Sequence, residues 1–115
     1  MTDIFETVKT VLEGTGVTAY YEKLPSNVTA TSYIRFQRIS TYEYFSHSGR
    51  GLKRDRFQIT CVGRTHAILV DLIEDMEDVM YFNTTDFVLS YPLEGSREPF
   101  DGAYTYMKDF YIYYN

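Results

Sequence analysis

Between Leu52 and Met80 the chain changes its hydrophobic period. In Leu52–Val62, Phe57, Ile59 and Cys61 alternate with Arg54, Arg56, Gln58 and Thr60, the two-residue period of a strand buried on one face. Gly63 and Arg64 interrupt the alternation, and Thr65 stands where a helix would take its N-cap. From there Leu69, Leu72, Ile73, Met76 and Met80 recur at helical spacing, with Asp71, Glu74, Asp75, Glu77 and Asp78 off that stripe. A strand with one apolar face followed by a helix with one apolar stripe must bury the two against each other.

The same reading extends in both directions. Asp3 with Glu6 three residues on resembles a capping box, and Ile4, Phe5, Val8, Val11 and Leu12 predict a short amphipathic helix ended by Gly14 or Gly16. Val17–Glu22 predicts a strand, and Lys23–Thr31, with Pro25, Ser26 and Asn27, a loop. Ser32–Ser40 alternates again, with Ile34 and Phe36 opposite Tyr33, Arg35 and Gln37, and the pattern runs on through Thr41–Phe45 to a polar tip at Ser46–Gly51. Residues 32–62 are therefore expected to form one long hairpin whose distal part, from about 42 to 54, projects beyond the sheet and depends on a partner for order. After the helix, Tyr81–Asn83 predicts a turn and Phe87–Tyr91 a strand stopped by Pro92. Leu93–Gly102, with Gly95, Pro99 and Gly102 among charges, predicts a surface loop. Tyr104–Tyr114 predicts a last strand, aromatic on both faces (Tyr106, Phe110 and Ile112 against Met107, Tyr111 and Tyr113). As an edge strand it would need covering by another subunit.

The expected architecture is α+β, in the order α-β-β-β-α-β-β. An antiparallel or mixed sheet of about five strands carries both helices on one face and a projecting β-hairpin. Residues 1–115 are enough for one domain with a single core.

Composition adds an expectation about surfaces. The chain is 44% hydrophobic and 17% aromatic, with twelve Tyr, eight Phe and no Trp. That much apolar area excludes disorder, and the amphipathic tyrosines suit an interface as well as a core. The net charge of −5 is uneven: residues 50–64 carry five basic and one acidic groups, residues 65–115 two basic and ten acidic. An acidic total argues against broad nucleic-acid binding, which depends on neutralising phosphates. One cysteine, Cys61, excludes a disulfide framework and a cysteine-based zinc site. No stretch approaches the roughly 20 apolar residues of a membrane span, and the N-terminus lacks a basic-then-apolar signal. A soluble, intracellularly made protein is expected, with the sequons at Asn27 and Asn83 arising by chance.

Candidate chemistry is thin. His47 and His66 have no second ligand at metal spacing, and Ser48-Gly49-Arg50-Gly51 lacks the helix and lysine of a phosphate loop. Asp71, Asp75 and Asp78 share a helical face, where carboxylates are ordinarily solvated and do no acid–base work. The basic cluster Arg50, Lys53, Arg54 and Arg56 admits two main readings, with DNA contact third because four charges beside an acidic segment make a weak footprint. One is cross-strand pairing with Glu43 or the neighbours of Asp55; the other is recognition of an acidic surface on a neighbouring copy. A small hydrolase and a nucleic-acid-binding module are the alternatives from other classes.

Several stretches together resemble a known family. They are the N-terminal helix, the loop proline before a strand ending Phe36-Gln37-Arg38-Ile39-Ser40, Gly51-Leu52 leading to Arg56-Phe57-Gln58-Ile59, the long helix opened by Thr65, and the ending Tyr106-Met107-Lys108-Asp109-Phe110-Tyr111-Ile112-Tyr113. In element order the chain resembles the tail-completion, or tail-terminator, proteins of long-tailed bacteriophages. The resemblance implies a structural, non-enzymatic virion protein, made in the host cytoplasm and needing no cofactor or metal. It implies a homo-oligomeric, hexameric ring that caps the tail tube and joins it to a neck or connector protein, with DNA passing through unbound. Another neck component, an adaptor or stopper, is the alternative within that class. The residues expected to meet a neighbouring copy are Tyr42, Tyr44, Arg50, Arg54, Arg56, Tyr111 and Tyr113.

Overall fold

The computed structural model of the chain describes residues 3–22, 32–44, 51–100 and 103–115. The first helix, α1 (Ile4–Glu13), is capped by the Asp3 side chain, which accepts from the Phe5 amide at 3.0 Å. It ends at Gly14, and Gly16 at φ +94° makes the turn that leads into β1 (Ala19–Tyr21). Two long strands follow, β2 (Ser32–Glu43) and β3 (Lys53–Gly63). The second helix, α2 (His66–Met80), starts at Thr65, whose hydroxyl accepts from the Ile68 amide at 3.2 Å. The chain closes with β4 (Leu89–Phe100) and β5 (Ala103–Tyr114).

The five strands make one mixed sheet in the order β1-β2-β3-β5-β4, with β1 parallel to β2 and every other pairing antiparallel. Both helices lie on one face. Val8, Val11 and Leu12 of α1 and Leu69, Leu72, Ile73, Met76 and Met80 of α2 share a core with Ile34, Phe36, Phe57, Ile59, Phe110 and Ile112. These strand residues all have inward parity, so the period read from the sequence selects the buried face. Leu72→Ala is expected to cost about 2–5 kcal/mol, a large-to-small change in that core; a thermal melt close to that of the unaltered protein would contradict this packing.

One close approach fixes the joint between β3 and α2. A Cβ at Gly63 would lie 2.8 Å from the Leu69 amide nitrogen, so the strand end and the first turn of α2 come together only because Gly63 has no side chain. Gly63→Ala should therefore cost about 1–3 kcal/mol, as overpacking does, read by chemical denaturation. Cys61 is fully buried with an unpaired thiol that burial pushes up to about 12. The folded protein should resist thiol reagents at neutral pH and react only once unfolded.

Three sequence expectations are corrected. The last strand is not an edge: β5 lies between β3 and β4, hydrogen-bonded on both sides. Residues 93–100 are not a surface loop, because β4 continues through Pro92 to Phe100. This is possible because β4 is the edge strand and its register shifts between Pro92 and Gly95, which absorbs the missing amide donor. The strand expected at Val17–Glu22 shortens to Ala19–Tyr21, so that among the described residues most of β2 has no neighbour on that side. The hairpin of β2 and β3 is bonded out to Tyr44 and Leu52 at 2.7 Å, and β5 flanks it as far as Lys53. Its tip at 45–50, with His47 and Arg50, and the loop expected at 23–31 lie outside the described residues.

Candidate assembly surface

The helices cover one face of the sheet, so outward-pointing strand residues make a surface of their own. Register aligns them in rows across the strands. Tyr42 lies opposite Arg54, Arg54 opposite Tyr113, and Tyr113 opposite Leu89; the next row holds Ser40, Arg56, Tyr111 and Tyr91. Beyond these, Gln37 and Gln58 bond across the strands at 2.9 Å.

At the first rows the structure gathers five of the sequence-predicted contact residues into one cage. The Arg54 guanidinium sits 4.3 Å from the Tyr111 ring centroid, 5.4 Å from that of Tyr42 and 6.0 Å from that of Tyr44. It donates to the Tyr44 hydroxyl at 3.2 Å, and Tyr113 adds a further side-chain hydrogen bond. Tyr42 and Tyr44 meet edge to face at 4.8 Å and remain 53% and 38% exposed. Arg54 makes no ion pair among the described residues, so its positive charge is held by ring faces and hydroxyls. Arg56 differs. Its Nε donates to Asp109 Oδ2 at 2.7 Å, a cross-strand pair. Cross-strand pairing of the basic cluster therefore exists, with Asp109 as the partner instead of Glu43.

The inner face at the same end holds a site that the sequence reading missed. Asp55 is fully buried, accepts from the Tyr114 hydroxyl at 2.9 Å and lies 3.5 Å from Arg38 Nη1. Its other oxygen, Oδ1, has no hydrogen-bond partner among the described residues. Arg38 in turn stacks on Phe5 at 4.9 Å, so this carboxylate ties the hairpin, the end of β5 and the start of α1 together. Parity was the available signal, since Asp55 falls on the side of Phe57, Ile59 and Cys61. Burial first, and then the bond to Asp55, push the Tyr114 hydroxyl up to about 12. The folded state thus holds this proton more tightly than the unfolded chain, where tyrosine titrates near 10.0. The linked stability is complete below that value and falls as pH rises toward 12. Tyr114→Phe should shrink the alkaline loss of melting temperature; equal losses in both proteins would show that this hydroxyl is not responsible.

The remaining candidates are dispersed. His66 is in the first turn of α2, meeting Tyr104 edge to face at 6.1 Å. Asp71, Glu74, Asp75 and Asp78 are exposed along α2, whereas Glu77 turns inward, accepting from the Tyr81 hydroxyl at 2.9 Å and facing Lys108 at 3.8 Å. Among the described residues no three metal-ligating side chains converge, and no helix is long and apolar enough to cross a membrane. Two open surface concavities contain no histidine, cysteine, lysine or arginine.

No family model matches the sequence, and neither does any curated protein. Among solved structures, the fold is similar to a chain of the virion of a native gene transfer agent particle. The TM-score is 0.68 at 13% sequence identity, covering 96% of this chain and 90% of that one. The chain thus has, over nearly its whole length, the fold of a chain of that particle.

Proposed function

We propose that this chain is a structural, non-enzymatic virion protein, a tail terminator whose copies form a ring that caps the tail tube and joins it to the head. The observation that carries the reading is the fold likeness to a virion chain, which spans almost all of both chains. The proposed place in the particle, the junction of tail and head, comes from the resemblance in element order to tail-completion proteins. The surface supports it: a cation displayed on exposed tyrosines and a sheet face without helices belong to a protein that works by contact. The acidic side chains of α2 disfavour phosphate binding, as a ring through which DNA must slide requires. The expected neighbours are identical copies (six, from the family resemblance), the tail tube protein and a neck protein.

Gold-labelled antibody against the chain, applied to the particles that contain it, should mark the junction of tail and head. Disrupting the gene should leave filled heads and unjoined tails of irregular length. Label on the head shell or the distal tail tip would overturn the reading, and label on a neck component alone would favour an adaptor or stopper.

A further inference from the structure

A ring built head to tail needs two different surfaces on each copy, complementary and on opposite flanks. The sheet has such a pair. On one flank β1 covers β2 only at Ile34–Phe36, and no described strand lies beside the rest of β2. Tyr44 donates its amide inward to Leu52 at 2.7 Å, so by alternation Thr41 and Glu43 turn theirs to the open side. On the other flank β4 is bonded, among the described residues, to β5 alone. Exposed apolar side chains concentrate at these two edges. Ile39 (49%) and Tyr42 (53%) border the first; Phe82 (57%), Val88 (45%) and Tyr91 (48%) border the second. Phe82 holds a left-handed backbone, φ +50°, which costs a phenylalanine energy, and its ring is set outward against Tyr91 at 5.9 Å.

We propose that the open edge of β2 in one copy pairs with the β4 edge of the next, continuing the sheet around the ring, with Ile39 and Tyr42 meeting Phe82, Val88 and Tyr91. The occupant is a second copy for two reasons on the sheet itself. The chain of pairings makes β4 antiparallel to β2, so a neighbour related by rotation about the strand direction brings β4 to β2 in antiparallel sense. The two patches also stand at one level, since the row through Tyr42 ends at Leu89 and the row through Ser40 ends at Tyr91. They therefore meet without a shift along the axis, as closure requires. Pairing like edges would give a dimer and leave the other edge exposed. Charge agrees: Arg54 beside Tyr42 has no carboxylate among the described residues, and the exposed Asp86 stands near Val88 on the opposite flank.

This inference rests on the ring reading, and the test separates the two. One variant carries Ile39→Lys with Tyr42→Ser; the other carries Phe82→Asn, which tolerates the positive φ, with Tyr91→Lys. In a sedimentation series up to millimolar concentration, each variant alone should self-associate on the order of 30-fold more weakly than the unaltered chain. Mixed, they should give a one-to-one dimer through their single intact edge pair. Hydrogen exchange on the unaltered chain, which needs no variant, should show the Thr41 and Glu43 amides becoming protected as it assembles. Rings from both variants, or unprotected amides in a formed ring, would overturn the edge pairing and leave the ring. A variant that dimerises alone would show like-edge pairing and overturn it as well. An unaltered chain that stays monomeric throughout would also overturn it, and the ring would then be judged by the gold label.

Discussion

Phe57→Ala removes about 3–5 kcal/mol of folding stability, enough to leave a domain of ordinary stability near its unfolding threshold at room temperature. Phe57 is fully buried at the middle of β3, the strand paired on both sides. Its ring touches Phe36 at 6.2 Å on the neighbouring strand and Phe5 at 5.9 Å on α1. It faces Arg38 across one ladder and Phe110 across the other. Truncation therefore empties the junction of the sheet and the first helix, and a rigid sheet has little means of collapsing around the hole. Urea denaturation followed by circular dichroism gives the number; a loss under about 1 kcal/mol would mean that the core is centred elsewhere.

Arg54→Glu is expected to abolish assembly while the monomer stays folded. Arg56 is committed to Asp109, so of the two central arginines only Arg54 keeps a charge for a neighbour among the described contacts. Reversing it dismantles the tyrosine cage and sets a carboxylate where a neighbour's acidic group is expected. The loss of assembly should be greatest at low salt and shrink as salt screens the contact. Arg54→Lys keeps the charge but not the planar stack, and should recover assembly in part. Normal assembly of Arg54→Glu at low salt would reduce the cage to a solvated surface feature.

Much of this fold was legible because its elements are strongly periodic. Thr65, Leu69, Leu72, Ile73, Met76 and Met80 mark α2 by cap and stripe, and the buried residues of β3 follow strict alternation. Strand order was not legible, since hydrogen-bond pairing joins residues far apart in sequence. Nothing local says that β5 enters between β3 and β4, or that Asp109 meets Arg56 across 53 residues. Pro92 misled for a related reason: proline stops a central strand but is tolerated in an edge strand that bulges beside it. Asp55 was overlooked because a carboxylate reads as surface, although parity set it inside. Of the residues proposed to meet a neighbour, Tyr42, Tyr44, Arg54, Tyr111 and Tyr113 could be named from the sequence, whereas Phe82, Val88 and Tyr91 enter the proposal only because β4 is an edge.

The ring is tested most directly by cryo-electron microscopy of particles that contain this chain. A closed ring of identical copies is expected at the head end of the tail tube, with β2 of each copy beside β4 of the next and the Arg54 cage at the seam. A single copy, an open chain, or a ring located anywhere but the tail–head junction would contradict it.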